Sequence, residues 1–404
     1  MQAHLLRLGD RTELEQALAR TGCSAGALEY FAARREMLQI YVTGVPSPAA
    51  SVIKQEMLSR GGDAAVHAKV IVCGTEKSDV IIFGTAKQLG FLADKLEKMP
   101  WWGLPGLAAK IRLLTAQRRP HKVKTPCGAE LAFGSGMLLM GIINLTDDSF
   151  YSDSRCGDDT DKTVRRAVQM AEEGADILDL GAESTRPGAS RVPEEEETAR
   201  LSAAVKAIRK ELPQMPLSAD TTRSAAARAA LAEGADIIND ISGLQFDKNI
   251  ASAAAEYRAL LCVMHTKGSA RDMQKLCVYE NILSEVCSFL REAADDAQKA
   301  GVEKEKIIID PGICFAKNYN QNLMLLRHCE SFRALGFPLL IGASRKSVVG
   351  TATGTASPSG RLAGTVALTA LCAAAGVDII RVHDVKENKE AIMMAEAVSK
   401  ARYE

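Results

Sequence analysis

A four-residue phrase recurs in the C-terminal part of this chain: Gly-Ala-Asp-Ile at 174–177 and again at 234–237, and Gly-Val-Asp-Ile at 376–379. Each copy closes a segment of helical periodicity and opens a short apolar run. A glycine there tolerates the left-handed backbone of a helix C-cap, and the run after it has the unbroken hydrophobicity of a strand buried on both faces. The phrase is the joint of a repeating strand–helix unit, which points to an α/β fold with a parallel sheet. Strand-length runs lie at Leu138–Leu145, Ile177–Leu180, Leu217–Ala219, Ile237–Asn239, Leu260–Met264, Ile307–Ile309, Leu339–Ile341 and Ile379–Val382. Helical stretches alternate with them at 163–173, 195–211, 224–233, 281–300, 322–335 and 364–375, and 389–400 ends the series. Eight strands joined by right-handed crossovers predict a (β/α)8 TIM barrel, with a doubly wound sheet as the alternative.

The chain has 404 residues, more than the roughly 250 a barrel needs, so a second unit is expected. Lys plus Arg and Asp plus Glu number 50 each. A net charge of zero argues against a protein built to coat nucleic acid or an acidic membrane surface. No apolar run reaches the roughly 18–20 residues of a membrane helix, and Met1–Asp10 lacks a basic region followed by an apolar one. The ten cysteines form no C-x-x-C pair, so neither a disulfide framework nor a zinc site is expected. Several read as core residues, such as Cys262 in Ala-Leu-Leu-Cys-Val-Met. The expectation is a soluble, cytoplasmic protein that binds small molecules, not nucleic acid or membrane.

Periodicity stops at Gln117-Arg118-Arg119-Pro120-His121-Lys122-Val123-Lys124. With no interleaved aromatics, this basic run reads as a solvated linker. It divides the chain into a small α+β domain, 1–121, and the barrel, 122–404. In the first, 12–20, 26–37, 47–60 and 86–99 read as helices, and 38–42, 69–73 and 79–83 as strands. Ser47-Pro48 suits an N-cap and first helical position. Gly61-Gly62-Asp63 could be a phosphate-binding turn, but two glycines after a helix read as its C-cap. This domain carries no catalytic signature, and an interaction or dimer-supporting role is expected of it.

Barrel chemistry gathers where strands end at the C-terminal face. The eight ends carry Asn144, then Glu183 to Gly188, Asp220-Thr221, Asn239-Asp240, His265, Asp310-Pro311-Gly312, Ser344 to Ser347, and Arg381 with His383-Asp384. A single polar residue there is usually a turn former. Eight in eight strands mark a ligand site, because the opposite joints are Gly and Ala. Asp220, Asp310 and Asn239 suit the N–H and amino groups of a flat heterocycle. Arg381, His383, Arg345 and Lys346 form a positive cluster where barrels hold phosphate. Asn144 is a hard oxygen ligand suited to one Mg²⁺ shared with phosphate oxygens. A phosphate-bearing heterocycle with its leaving group in a cationic socket is the inference. Cys314 and His265 read as wall residues.

Seven motifs in order over 122–404 resemble the dihydropteroate synthase family. They are Asn144 to Phe150, Gly181 to Gly188, Asp220-Thr221, Asn239 to Gly243, Asp310 to Ile313, Ser344 to Ser347 and Arg381 to Val385. The resemblance implies condensation of p-aminobenzoate with (7,8-dihydropterin-6-yl)methyl diphosphate, giving 7,8-dihydropteroate and pyrophosphate in folate biosynthesis. It implies pterin binding by Asp220, Asn239, Asp310 and Lys346. Pyrophosphate falls to Asn144, Arg381 and His383, with Mg²⁺ at Asn144, and p-aminobenzoate to Thr185, Arg186, Pro187 and Ser347. A cytoplasmic homodimer is expected. The chain departs from the family at Asp147, at Tyr151 to Arg155, and at Cys314, Ala316 and Val348, so the first loop is expected to close differently. A methyltetrahydrofolate–corrinoid methyltransferase shares a pterin-binding barrel and is the rival enzyme, but it has no use for Ser-Arg-Lys-Ser or Arg-Val-His-Asp. A catalytically dead pterin-binding protein would have lost an anion-site residue.

Overall fold

The computed structural model describes residues 11–22, 31, 36–116, 120–145, 160–183, 192–269 and 271–401. Two compact units emerge, Met1–Gln117 with Lys400–Glu404, and Arg118–Ser399. In the second, the barrel strands are β1 (Leu138–Asn144), β2 (Ile177–Gly181), β3 (Leu217–Asp220), β4 (Ile237–Asp240), β5 (Leu260–Met264), β6 (Ile307–Asp310), β7 (Leu340–Ile341) and β8 (Ile379–Val382). Their order around the sheet is β6-β5-β4-β3-β2-β1-β8-β7. All these pairings are parallel, and a parallel bridge between Ile309 and Leu339 closes the ring. This is a (β/α)8 barrel, with no open edge left to pair with another chain.

The recurring phrase explains part of the closure. Gly174, Gly234 and Gly376 sit at φ +99°, +105° and +72°, the C-cap conformation a side chain would strain. The aspartate two residues on has a second task. Asp176 accepts from the Leu139 amide at 2.8 Å, Asp236 from Leu217 at 3.0 Å and Asp378 from Leu339 at 2.8 Å. Each carboxylate ties its own strand to the start of a neighbour, satisfying an amide at the barrel's N-terminal end.

The basic run is not simply a linker. Residues 117–119 lie outside the described residues, but His121–Lys124 is a strand paired antiparallel with Glu130–Phe133. Val123, Leu131 and Phe133 from this hairpin cluster with Met140, Ile177, Ile237, Leu260, Cys262, Ile308, Leu340 and Ile379. The hairpin thus plugs the N-terminal mouth of the barrel, and Asp236 and Asp378 hold it through the amides of Cys127 and Gly134. One apolar residue in a four-residue strand is too little pattern to reveal that in advance.

Helices Asn249–Glu256 and Ser347–Thr353 add to those expected, and the stretch at 322–335 divides into Tyr319–Arg327 and Cys329–Arg333. In the other unit, Met37–Pro46, Lys77–Thr85 and Asp63–Ala65 form an antiparallel sheet with the long middle strand shared. Helices Ser47–Ser59, Ala86–Glu97 and Leu104–Thr115 contribute buried side chains to its own core. Most of the expected helix at 26–37 falls outside the described residues, and Met37 begins a strand. Pro46, not Ser47, is the N-cap of the next helix, and Ser47 Oγ donates to the Thr75 carbonyl instead. The expected strand at 69–73 is a 3-10 turn, Ala68–Val72, in which only Val70 is buried. Ile71 stands 86% exposed, so the β-branched run had no sheet face to occupy. The Gly61 and Gly62 amides bond back to Leu58 and Met57 carbonyls, which makes the pair a C-cap.

Candidate active site

Parallel register brings the polar strand ends to one level. Asn144 aligns with Gly181, Gly181 with Asp220, and Asp220 with Asn239; Met264 aligns with Asp310 on the far side. Arg381 on β8 reaches across this ring. Its Nε donates to Asp179 Oδ2 at 2.6 Å and its Nη2 to Asp220 Oδ2 at 2.8 Å. Asn239 Nδ2 donates to the same Asp179 oxygen at 3.3 Å. Asp179, fully buried in β2, thereby orients Arg381 and Asn239 together. Its Oδ1 has no partner, and neither does Ser218 Oγ on the adjacent strand, in register with it.

Asp310 ends β6 and accepts from the Gly312 amide at 2.7 Å. Gly312 sits at φ +69°, and a Cβ there would meet the His265 carbonyl at 2.0 Å, so only glycine lets this loop close. Lys346 Nζ donates to the Ile313 carbonyl at 3.0 Å and lies 4.6 Å from the centre of the Phe315 ring. Burial pushes the Asp310 carboxyl above the usual carboxylate range and Lys346 below the usual amine range; each one's charge opposes the other's shift. Asp220 is likewise raised by burial, against the pull of Arg381. Buried titratable groups shifted by desolvation and by one another, gathered in one mouth, mark it as the candidate site.

His383 is buried, and burial followed by the charges of Arg381, Arg345, Lys346 and Arg166 lowers it to about 3. Its Nδ1 lies 3.0 Å from Ser344 Oγ, which also accepts from the His383 amide. A neutral ring taking the serine hydroxyl at Nδ1 carries its proton on Nε2, as a hydrogen-bond donor. Arg345 has a carboxylate partner of its own. It is buried and turned onto Asp384 at 2.7 Å through two nitrogens, with Nη1 on the Pro358 and Ser359 carbonyls. It therefore braces the loop, while its charge still acts on His383.

Ser347 is exposed, with Oγ 3.6 Å from Cys314 Sγ. Thr185, Arg186 and Pro187, expected at the p-aminobenzoate site, lie outside the described residues, as do Asp147 and Tyr151 to Arg155 of the first loop. Cys314 and Ala316 both take positive φ, +69° and +51°. The following residue, Lys317, escaped the strand-end search because it lies seven positions past β6. It is buried, 2.9 Å from His265 Nδ1 and 2.8 Å from the Phe315 carbonyl, and burial lowers it to about 7. His265 is a wall residue, its ring 4.9 Å from Phe289. Asp179 was missed because it precedes the strand end. A charged residue inside the apolar run Ile-Leu-Asp-Leu was the available signal.

The family model for pterin binding enzymes matches residues 140–383. The dihydropteroate synthase of Synechocystis is 42% identical over 266 residues, 66% of this chain and 91% of that protein. The chain belongs to the dihydropteroate synthase family. The dihydropteroate synthase of Xanthomonas albilineans, solved with 4-aminobenzoic acid, superposes with a TM-score of 0.64 at 37% identity, covering 70% of this chain and 100% of that one. A probable bifunctional folylpolyglutamate synthase/dihydropteroate synthase of Haloferax volcanii is 38% identical over 373 residues. That match takes in 90% of this chain, so it reaches well into the N-terminal unit, yet this chain spans only 43% of that relative's length. Members of the dihydropteroate synthase family are transferases of folate biosynthesis.

Proposed function

We propose that this dihydropteroate synthase condenses p-aminobenzoate with (7,8-dihydropterin-6-yl)methyl diphosphate by letting diphosphate leave before the arylamine attacks. The observation that carries this reading is the bracing of Arg381 between Asp179 and Asp220, beside a neutral His383. Donors held in place before the reaction stabilise developing charge without reorganising. Asn239, with Nδ2 engaged by Asp179, keeps its Oδ1 for the amino edge of the pterin, and Asp310 keeps one oxygen for a ring N–H. As the C–O bond to diphosphate breaks, positive charge spreads into the electron-rich ring, where the Asp310 carboxylate offsets it. Arg381 Nη1 and the His383 Nε2–H take the departing oxygens. The aniline nitrogen then forms the C–N bond and loses its proton. No strong base is needed.

Asn144 supplies one neutral amide oxygen. Among the described residues no group of three or more His, Cys, Asp or Glu is placed to hold a metal. The Asn144 amide oxygen would hold a hard cation such as Mg²⁺. When bound there, it supplies charge neutralisation to the leaving group. Asp220, Asn239, Asp310 and Lys346 make the pterin site, Asn144, Arg381 and His383 the diphosphate site, and Thr185, Arg186, Pro187 and Ser347 the p-aminobenzoate site.

Two further points support a cytoplasmic homodimer. Helix Leu362–Ala374 is apolar on nearly every side, and Leu371 is 67% exposed on it. Helix Val385–Lys400, joined to it by Thr369 Oγ1 donating to Asn388 Oδ1, adds exposed Met393, Met394 and Val398. Such side chains suit burial against a second copy. The cysteines among the described residues are free thiols, in keeping with a reducing compartment. No helix among the described residues is long and apolar enough to cross a membrane. A series of para-substituted anilines tests the order of events. A kcat nearly independent of amine basicity supports prior departure of diphosphate, and a steep dependence contradicts it.

A further inference from the structure

Among the described residues, the cations around the strand ends are largely matched by carboxylates. Arg381 is shared by Asp179 and Asp220, Arg345 is clamped on Asp384, and Lys346 lies in the field of Asp310. A diphosphate carries about three negative charges near neutral pH, so a cation with no carboxylate of its own beside these matched ones would add to the field that holds it. Arg166 is such a cation beside this cluster. It lies on helix Thr160–Glu172, which follows β1, and its Nη2 donates to the main-chain carbonyl of His383 at 3.1 Å. That bond places the guanidinium beside an expected diphosphate ligand. Among the described residues no carboxylate pairs with Arg166. Its Nε is buried with no acceptor at all, an arrangement the free enzyme bears at a cost and a bound oxyanion would relieve.

We propose that Arg166 is an anion-binding residue of the leaving-group site, holding His383 through its main chain and taking a diphosphate oxygen when substrate is bound. The assignment rests on the dihydropteroate synthase reading. The ligand chemistry is a diphosphate oxyanion, whether on the substrate or as free pyrophosphate. Arginine suits the task because its fork of donors can serve a carbonyl and an oxyanion together, which a lysine does less well.

The test uses the full chain and two variants, R166M and R166K. It reads inhibition by free pyrophosphate, KM for the pterin diphosphate, and binding of pteroic acid, which carries no phosphate. The assignment predicts that R166M weakens pyrophosphate inhibition about tenfold or more and raises KM in step. R166K should fall between R166M and wild type, and pteroic acid should bind within about twofold of wild type in both. Unchanged pyrophosphate inhibition in folded R166M would overturn it. So would a parallel loss of pteroic acid affinity, which marks a merely structural role. If R166M does not fold, R166K decides alone: weaker pyrophosphate inhibition at unchanged pteroic acid affinity supports the assignment, and wild-type inhibition overturns it. Failure of the parent reading looks different, because wild type itself would then form no dihydropteroate.

Discussion

Asp179 has one oxygen accepting from both Arg381 and Asn239, so its charge holds both side chains in place. Asp179→Asn keeps the size and removes the charge. A charge-assisted bond is worth about 1.5–3 kcal/mol, so kcat/KM for the pterin diphosphate should fall about ten- to hundredfold while the far-ultraviolet circular dichroism stays unchanged. A change under about threefold would remove Asp179 from the site. His265 makes a second prediction. Burial, then the charge of Lys317, lowers it to about 2. An unfolded histidine takes up its proton near pH 6.5. This group's full contribution to stability is therefore present above pH 6.5. It is lost as pH falls from there toward 2, by about 1.4 kcal/mol per pH unit. His265→Asn should flatten the fall of Tm between pH 6.5 and 4.5, and an unchanged slope would show that His265 is not the group responsible. The strand-end residues were legible one by one, because a polar side chain ending an apolar run stands out. Their partners were not. Asp179 and Arg381 lie about 200 positions apart, and only the closed ring makes them neighbours.

The strand–helix joint was legible as a glycine cap followed by a buried strand, and the barrel follows from its repetition. The aspartate in the phrase was not, since the amide it accepts belongs to another strand. Its environment grades the expected effects. Asp236 is fully buried, bonded to the Leu217 and Cys127 amides and to Arg209 at 2.6 Å. Asp236→Ala should lower stability by about 3–5 kcal/mol, because it strands a partly buried arginine and two amides. Asp176, a third exposed, bonds Leu139 and Lys389, and its alanine variant should lose only about 1 kcal/mol. Urea denaturation of both variants checks the order, and equal losses would contradict it. The hairpin over the barrel mouth is an element the sequence concealed. Deleting residues 118–135 removes Val123, Leu131 and Phe133 from the interior cluster, and should lower Tm by more than ten degrees.

The charges of the whole molecule balance, yet the barrel keeps them apart. Arg381 and Lys346 converge with Asp179, Asp220 and Asp310 on one face, while the opposite end is closed by backbone-capping aspartates and a hairpin. The N-terminal unit has a separate core and contributes none of the residues assigned to the reaction. Residues 118–404 alone should therefore fold and keep kcat within about threefold. An assembly role for residues 1–117 predicts a changed number of protomers per particle in that truncation. Full activity with an unchanged oligomeric state would leave the N-terminal unit without that role. The condensation itself is tested most directly by measuring pyrophosphate and dihydropteroate together, with purified full-length protein, Mg²⁺, pterin diphosphate and p-aminobenzoate. Equal amounts of the two products, formed only when both substrates are present and lost in Lys346→Ala, are the predicted result. Methyl transfer from methyltetrahydrofolate to a corrinoid, with no pyrophosphate released, would contradict it.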